Sequence, residues 1–156
     1  MFRTNPQPSD VAAVRSLTQA TRMFRPDEVA IALELVTDGV EKQERSEYRF
    51  LFADGARGLD GYICFGPTAC TIGTWDLYWI AVDPALQGQG LGRRLVSAME
   101  DAIRRASGRM ITVDTSGRAD YTPTRAFYER VGYNVGATFP DFYAPGDAKV
   151  VYIKRL

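Results

Sequence analysis

The stretch TWDLYWIAVDPALQGQGLGRRLVSAMEDAIRRASG, Thr74–Gly108, decides the fold. An aromatic and β-branched run from Trp75 to Val82 stops at Asp83-Pro84. A glycine-dense turn follows, Gln87-Gly88-Gln89-Gly90-Leu91-Gly92, and then an amphipathic segment that ends at Gly108. Strict alternation would put Trp75, Leu77, Trp79 and Ala81 on one face of a strand and Asp76, Tyr78, Ile80 and Val82 on the other. Both faces are largely apolar, which predicts an interior strand covered on both sides. Leu91, Leu95, Met99, Ala102 and Ile103 repeat at helical spacing, Arg104 and Arg105 favour the C-terminal end of the dipole, and Gly108 is a natural terminator. The remaining glycines sit at the N-terminal end, where they let a ligand approach bare backbone N–H groups at a helix start.

The spacing argues against two familiar phosphate loops. Gly92 is followed by Arg93-Arg94, so the Gly-Lys-Ser/Thr of a P-loop is missing. The glycines run G-x-G-x-G over Gly88, Gly90 and Gly92, not G-x-G-x-x-G, and they lie past the middle of the chain. From the residues alone, a ligand-free glycine-rich connection remains the alternative.

Gln87 to Gly92 match the Q/R-x-x-G-x-G/A signature of the GNAT superfamily of acyl-CoA-dependent N-acyltransferases, and the chain resembles that family on both sides of it. Trp79-Ile80-Ala81-Val82-Asp83-Pro84 resembles the family's fourth strand. Arg125-Ala126-Phe127-Tyr128-Glu129-Arg130-Val131-Gly132-Tyr133 resembles its F-Y-E-x-x-G-F/Y segment. The resemblance implies an α/β (α+β) fold. It would be a single GNAT-like domain over residues 1–156, with a mixed sheet of about seven strands splayed between strands 4 and 5 and about four flanking helices.

Length and composition fit one such domain. The chain has 156 residues, 19 basic and 19 acidic side chains, no His and two Cys. A formal charge of zero gives no bulk attraction to nucleic acid or an anionic membrane. The absence of His excludes a His-based catalyst, and Cys64 and Cys70 are a poor metal set, so no metal is expected. No apolar run approaches a membrane span, and Met1 to Pro6 lack the core of a leader peptide. The expectation is a cytoplasmic protein without a disulfide.

Around the central stretch the pattern is regular. Phe2–Thr4 reads as a short first strand. A helix capped at Ser9-Asp10 follows, and a second from Pro26 is expected to end at Gly39. By resemblance, Arg22, Phe24 and Glu28 at their junction face an acceptor; an ordinary solvated junction is the alternative. Tyr48–Phe52 and Leu59–Phe65 read as strands joined by a turn at Asp54–Gly58. Met110–Asp114, Tyr133–Thr138 and Val150–Lys154 complete the sheet, with a short helix at Thr122–Arg130 and a turn-rich loop at Pro140–Asp147.

The resemblance also implies a reaction. Acetyl-CoA would be the co-substrate, its diphosphate on the amides of Gln89, Gly90, Leu91, Gly92 and Arg93, with Gln87 and Gly88 completing the signature. The backbone of Ile80, Ala81 and Val82 would serve the pantetheine amides. A small-molecule or peptide amine would attack the thioester directly, in a ternary complex. Tyr128 matches the family's phenolic acid for the departing thiol. With a phenol near 10 and a thiol near 8.5, full proton transfer is uphill by roughly 2 kcal/mol, so a hydrogen bond with late transfer is the sensible form. Asp76 is the leading base candidate, acting through water; the alternatives are that it binds the acceptor's ammonium or anchors a neighbouring strand, and Asp114 and Asp120 are weaker candidates. The family's usual Asn and Ala ahead of the phenol are here Tyr121 and Thr124, and one or the other would have to replace the cofactor contact of that Asn. A non-catalytic acyl-CoA-binding sensor is the alternative, and homodimerisation, common in the family, is left open.

Overall fold

The structure is a computed structural model that describes residues 1–56 and 58–156. Arg57, within the turn expected at Asp54–Gly58, lies outside the described residues. Four helices, α1 (Pro8–Thr21), α2 (Pro26–Lys42), α3 (Leu91–Arg105) and α4 (Thr122–Arg130), cover a mixed sheet. Its strands are β1 (Arg49–Gly55), β2 (Gly58–Pro67), β3 (Thr74–Val82), β4 (Met110–Ser116), β5 (Asn134–Ala144) and β6 (Asp147–Arg155). They lie in the order β1-β2-β3-β4-β6-β5. Among the described residues the sheet therefore has six strands where about seven were expected. Phe2–Thr4 contributes only an isolated bridge between Arg3 and Phe52. The Arg3 side chain is occupied elsewhere, with Asp10 and Asp54 both at 2.8 Å.

Each sheet face has its own core. On one, α1 and α2 bury Val14, Leu17, Val29, Ala32 and Val36 against Phe50, Phe52, Tyr62 and Cys64. On the other, α3 and α4 bury Leu95, Met99, Ile103 and Tyr128 against Ile63, Leu77, Ile111 and Val113. Each fully buried aliphatic side chain contributes about 1.5–3 kcal/mol, so the two layers hold the sheet comparably. The second helix does not stop at Gly39. That residue is buried inside α2, and a Cβ there would lie 2.5 Å from the Phe50 ring, so glycine lets α2 descend onto β1. The expected loop at Pro140–Asp147 is largely the end of β5 and a tight turn, which lengthens the last hairpin.

Two irregularities of β3 shape the site. Its register against β2 jumps from Cys64↔Trp79 to Phe65↔Leu77, which leaves Tyr78 as an extra, bulged residue. The strict alternation expected for Trp75–Val82 is thereby corrected. Trp75 and Leu77 pack with the α3 layer, Trp79 and Ala81 with the α1–α2 layer, and Ile80 and Val82 return to the α3 side. Against β4, the strand pairs only at Thr74↔Met110, Trp75↔Ile111 and Asp76↔Thr112. Beyond that rung Leu77–Val82 have no β4 partner, while β4 continues on β6 to Ser116↔Lys149. The sheet is forked between β3 and β4, as the family resemblance implied for its strands 4 and 5.

Candidate active site

The N-terminus of α3 stands at the mouth of this fork. A Cβ on Gly92 would sit 3.4 Å from the Phe127 ring of α4 and 3.8 Å from Val82 Cγ2 of β3. Gly88 and Gly90 have φ of 76° and 82°, and a side chain at either would meet nothing within 4 Å. Only glycine adopts this left-handed turn freely while leaving its outer face bare. Among the described residues, the backbone N–H groups of Gly88, Gly90, Leu91, Gly92 and Arg93 donate to no protein acceptor. Such amides need water or an anionic ligand. The Gln89 N–H, grouped with them from the sequence, is partly committed to Leu86 O at 3.4 Å, whereas that of Gly88 is free. The side chains of Gln87 and Gln89 brace the turn, donating to Val82 O at 3.3 Å and Ala85 O at 3.1 Å. Arg93 and Arg94 are exposed beside it.

Ile80, Ala81 and Val82 pair with Ile63, Tyr62 and Gly61 of β2 and present their opposite edge to the fork. Tyr128 is only 3% exposed. Its ring lies against Phe127, Tyr133 and Tyr152, with centroids 5.4, 5.8 and 5.9 Å away. Burial lifts its phenol well above the ordinary tyrosine value, and nearby Tyr121 adds to the shift, so the group keeps its proton at neutral pH and has it to donate. Among the described residues, the fully buried polar side-chain atoms without a partner are those of Tyr62, Trp79 and Tyr133; the Tyr128 oxygen is not among them. Tyr121 stacks under the Arg118 guanidinium at 5.3 Å just before α4, and burial, with Glu28 next in effect, pushes its hydroxyl up to about 12. Thr124 lies in the first turn of α4.

Asp76 is bound on both oxygens. Thr68 donates to Oδ2 at 2.7 Å and Thr112 to Oδ1. Since Asp76↔Thr112 is the last β3–β4 rung, this carboxylate sits at the branch point of the fork. The weaker base candidates are also engaged, Asp114 with Lys149 at 2.6 Å and Asp120 with Arg118 at 3.1 Å. At the α1–α2 junction, Arg22 is left-handed with φ 55°, Phe24 tilts onto Trp79 at 4.9 Å, and Glu28 accepts from the Arg25 N–H at 2.7 Å. Burial first, then the charges of Asp114, Asp147 and Glu28, raise the Tyr143 hydroxyl. Tyr143 and Asp147, assigned to a loop from the sequence, lie in β5 and β6. A groove of about 850 Å³ between α1 and α2, lined among others by Val11, Phe24 and Leu33, includes no residue of β3, β4 or α3 and borders this site only at the α1–α2 junction, through Phe24.

A family model described as an acetyltransferase (GNAT) domain matches residues 46–135, which include the fork, the glycine turn and α4. The chain belongs to the GNAT acetyltransferase family. A GNAT-family protein from Desulfovibrio desulfuricans is 41% identical, with 99% of this chain and 98% of that one covered and a TM-score of 0.96. An aminoglycoside 6'-N-acetyltransferase in complex with coenzyme A shares the fold at a TM-score of 0.77 and 19% identity, covering 99% of this chain and 96% of its own. The blasticidin-S acetyltransferase of Streptomyces morookaense is 35% identical over 81 residues, 52% of this chain. The matched region spans 55% of that relative's length. Among the described residues no helix is long and apolar enough to cross a membrane.

Proposed function

We propose that this GNAT chain moves the acetyl group of acetyl-CoA to an amine acceptor. The observation that supports it is the set of unpartnered amides at the α3 N-terminus beside the open edge of β3. A diphosphate on Gly88, Gly90, Leu91, Gly92 and Arg93 gains several charge-assisted hydrogen bonds and the positive end of the helix dipole. The pantetheine arm then runs along Ile80, Ala81 and Val82, with Tyr121 and Thr124 standing in for the family's usual contact. The neutral amine attacks the thioester carbonyl, the C–S bond breaks, and Tyr128 donates a hydrogen bond to the sulfur as it leaves. The amine's surplus proton passes to water. Asp76, with both oxygens committed, serves as the anchor of the fork rather than as the base.

The acceptor is read as a small cationic amine. It would enter between the α1–α2 junction and the last hairpin, where the negative charge of Glu28 acts on both the Tyr121 and the Tyr143 hydroxyls. The partial likeness to a blasticidin-S acetyltransferase agrees with this class.

Release of free thiol from acetyl-CoA with a panel of blasticidin S, an aminoglycoside, spermidine and a lysine peptide tests the reading. Turnover is expected with at least one cationic small molecule, and Tyr128→Phe is expected to lose most of it. Tight coenzyme A binding without transfer to any amine would instead favour the non-catalytic sensor.

A further inference from the structure

Lys154 is the one charged residue of β6 that reaches two helices of the site at once. Its Nζ donates to Glu100 Oε1 and Oε2 at 2.7 and 2.9 Å and to the Val131 carbonyl at 2.8 Å. Glu100 is 5% exposed and belongs to α3, the helix whose N-terminus carries the free amides; Arg104 adds a longer contact to it at 3.5 Å. Val131 caps α4, three residues after Tyr128. That end of α4 is stitched to the ring beside the phenol. Tyr133 N–H donates to the Tyr128 carbonyl at 3.0 Å, the two rings meet edge to face, and the Lys154 ammonium lies 5.3 Å over the Tyr133 ring. Two residues earlier on β6, Tyr152 donates to Glu129 at 2.9 Å and packs on Tyr128 from another side.

We propose that Lys154 is a positioning residue for the leaving-group step: by joining buried Glu100 of α3 to the Val131 carbonyl of α4, it fixes the Tyr128 phenol relative to the helix that holds the cofactor. This rests on the role given to Tyr128 above. An ion pair that only stabilised the fold could be replaced by two apolar side chains of similar volume, because the cost lies in leaving one charge buried alone. A positioning lysine could not, since that exchange leaves the Val131 carbonyl without its donor and α4 free to shift.

The test uses Lys154→Met, the double variant Glu100→Met/Lys154→Met, and each combined with Tyr128→Phe. Readouts are melting temperature, kcat and KM for acetyl-CoA with the fastest acceptor of the panel above, and crystal structures with coenzyme A bound. Lys154→Met is expected to melt lower. The double variant should regain that stability yet keep a kcat reduced on the order of 10- to 100-fold, the scale expected when a catalytic group is displaced by about 1 Å, with KM little changed. In the Tyr128→Phe background the same changes should cost almost nothing further. Recovery of kcat together with stability, an undiminished loss in the Tyr128→Phe background, or an unmoved Tyr128 ring in the coenzyme A complex of the double variant would each overturn the proposal. Wild-type kcat in Tyr128→Phe alone would instead remove the role of the phenol.

Discussion

Replacing Asp76 separates two roles that its residue type allows. Its carboxylate receives hydroxyl hydrogen bonds from Thr68 and Thr112, and the second of these spans the last rung before β3 and β4 part. Hydrogen bonds to a charged group contribute about 1.5–3 kcal/mol each where buried. Asp76 is half-buried, so Asp76→Ala should cost about 2–4 kcal/mol in all. For a domain of this size that lowers the melting temperature by very roughly 4–16 °C, at about 2–4 °C per kcal/mol. Asn keeps one carbonyl acceptor and can donate to the other threonine, so Asp76→Asn should lose only about 1 kcal/mol. Thr112→Val should lose a similar amount, and a double-mutant cycle between the two positions should show coupling on the order of 1 kcal/mol. If Asp76 is an anchor, kcat of the Asn variant stays within a few-fold of wild type, because no proton passes through the side chain. Thermal unfolding and steady-state thiol release measure both quantities on the same preparations. A well-folded Asp76→Asn protein whose kcat had fallen by about 10²–10⁴-fold would refute the anchor and restore Asp76 as the general base.

Three further outcomes follow from the geometry. The rate should rise with pH as the acceptor amine loses its proton and show no falling limb up to about pH 10, because burial holds Tyr128 protonated above that range; a descending limb near neutrality would contradict it. Gly90→Ala forces a Cβ onto φ 82°, at about 1–2 kcal/mol of backbone strain, and projects it into the open space beside the free amides; coenzyme A affinity measured by calorimetry should fall by about ten-fold or more, and unchanged affinity would place the diphosphate elsewhere. Gly39→Ala puts a methyl 2.5 Å from the Phe50 ring, so α2 must lift from β1; a loss of about 1–3 kcal/mol in denaturant unfolding is expected, with coenzyme A affinity unaltered.

The glycine turn and the free amides at the start of α3 were legible because they are a matter of backbone. Glycine spacing after an apolar strand and before a periodic helix specifies unpartnered amides whatever the surrounding side chains do, and the short helix expected to carry Tyr128 is α4. The bulge at Tyr78 was not legible. A strand apolar on both faces shows no break in alternation when one residue is inserted, so the facing of Trp79 and Ile80 came out only with the register. Gly39 was misread as a terminator because sequence cannot separate a glycine that ends a helix from one that lets a helix touch a strand. Asp147 and Tyr143 were hidden in a segment rich in Pro, Gly and Asp that looks like loop and folds as the end of a hairpin. One signal was available and passed over. Glu100 lies on the same stripe of α3 as Val96, Met99 and Ile103, and a carboxylate on an apolar stripe calls for a buried partner, here Lys154.

The most direct measurement is a crystal structure of the protein with acetyl-CoA. The expected result has diphosphate oxygens within about 3.2 Å of the Gly90, Leu91 and Gly92 nitrogens, the pantetheine between β3 and β4, and the sulfur within hydrogen-bond reach of the Tyr128 hydroxyl. A diphosphate bound away from the α3 amides, or a sulfur held far from Tyr128, would contradict it.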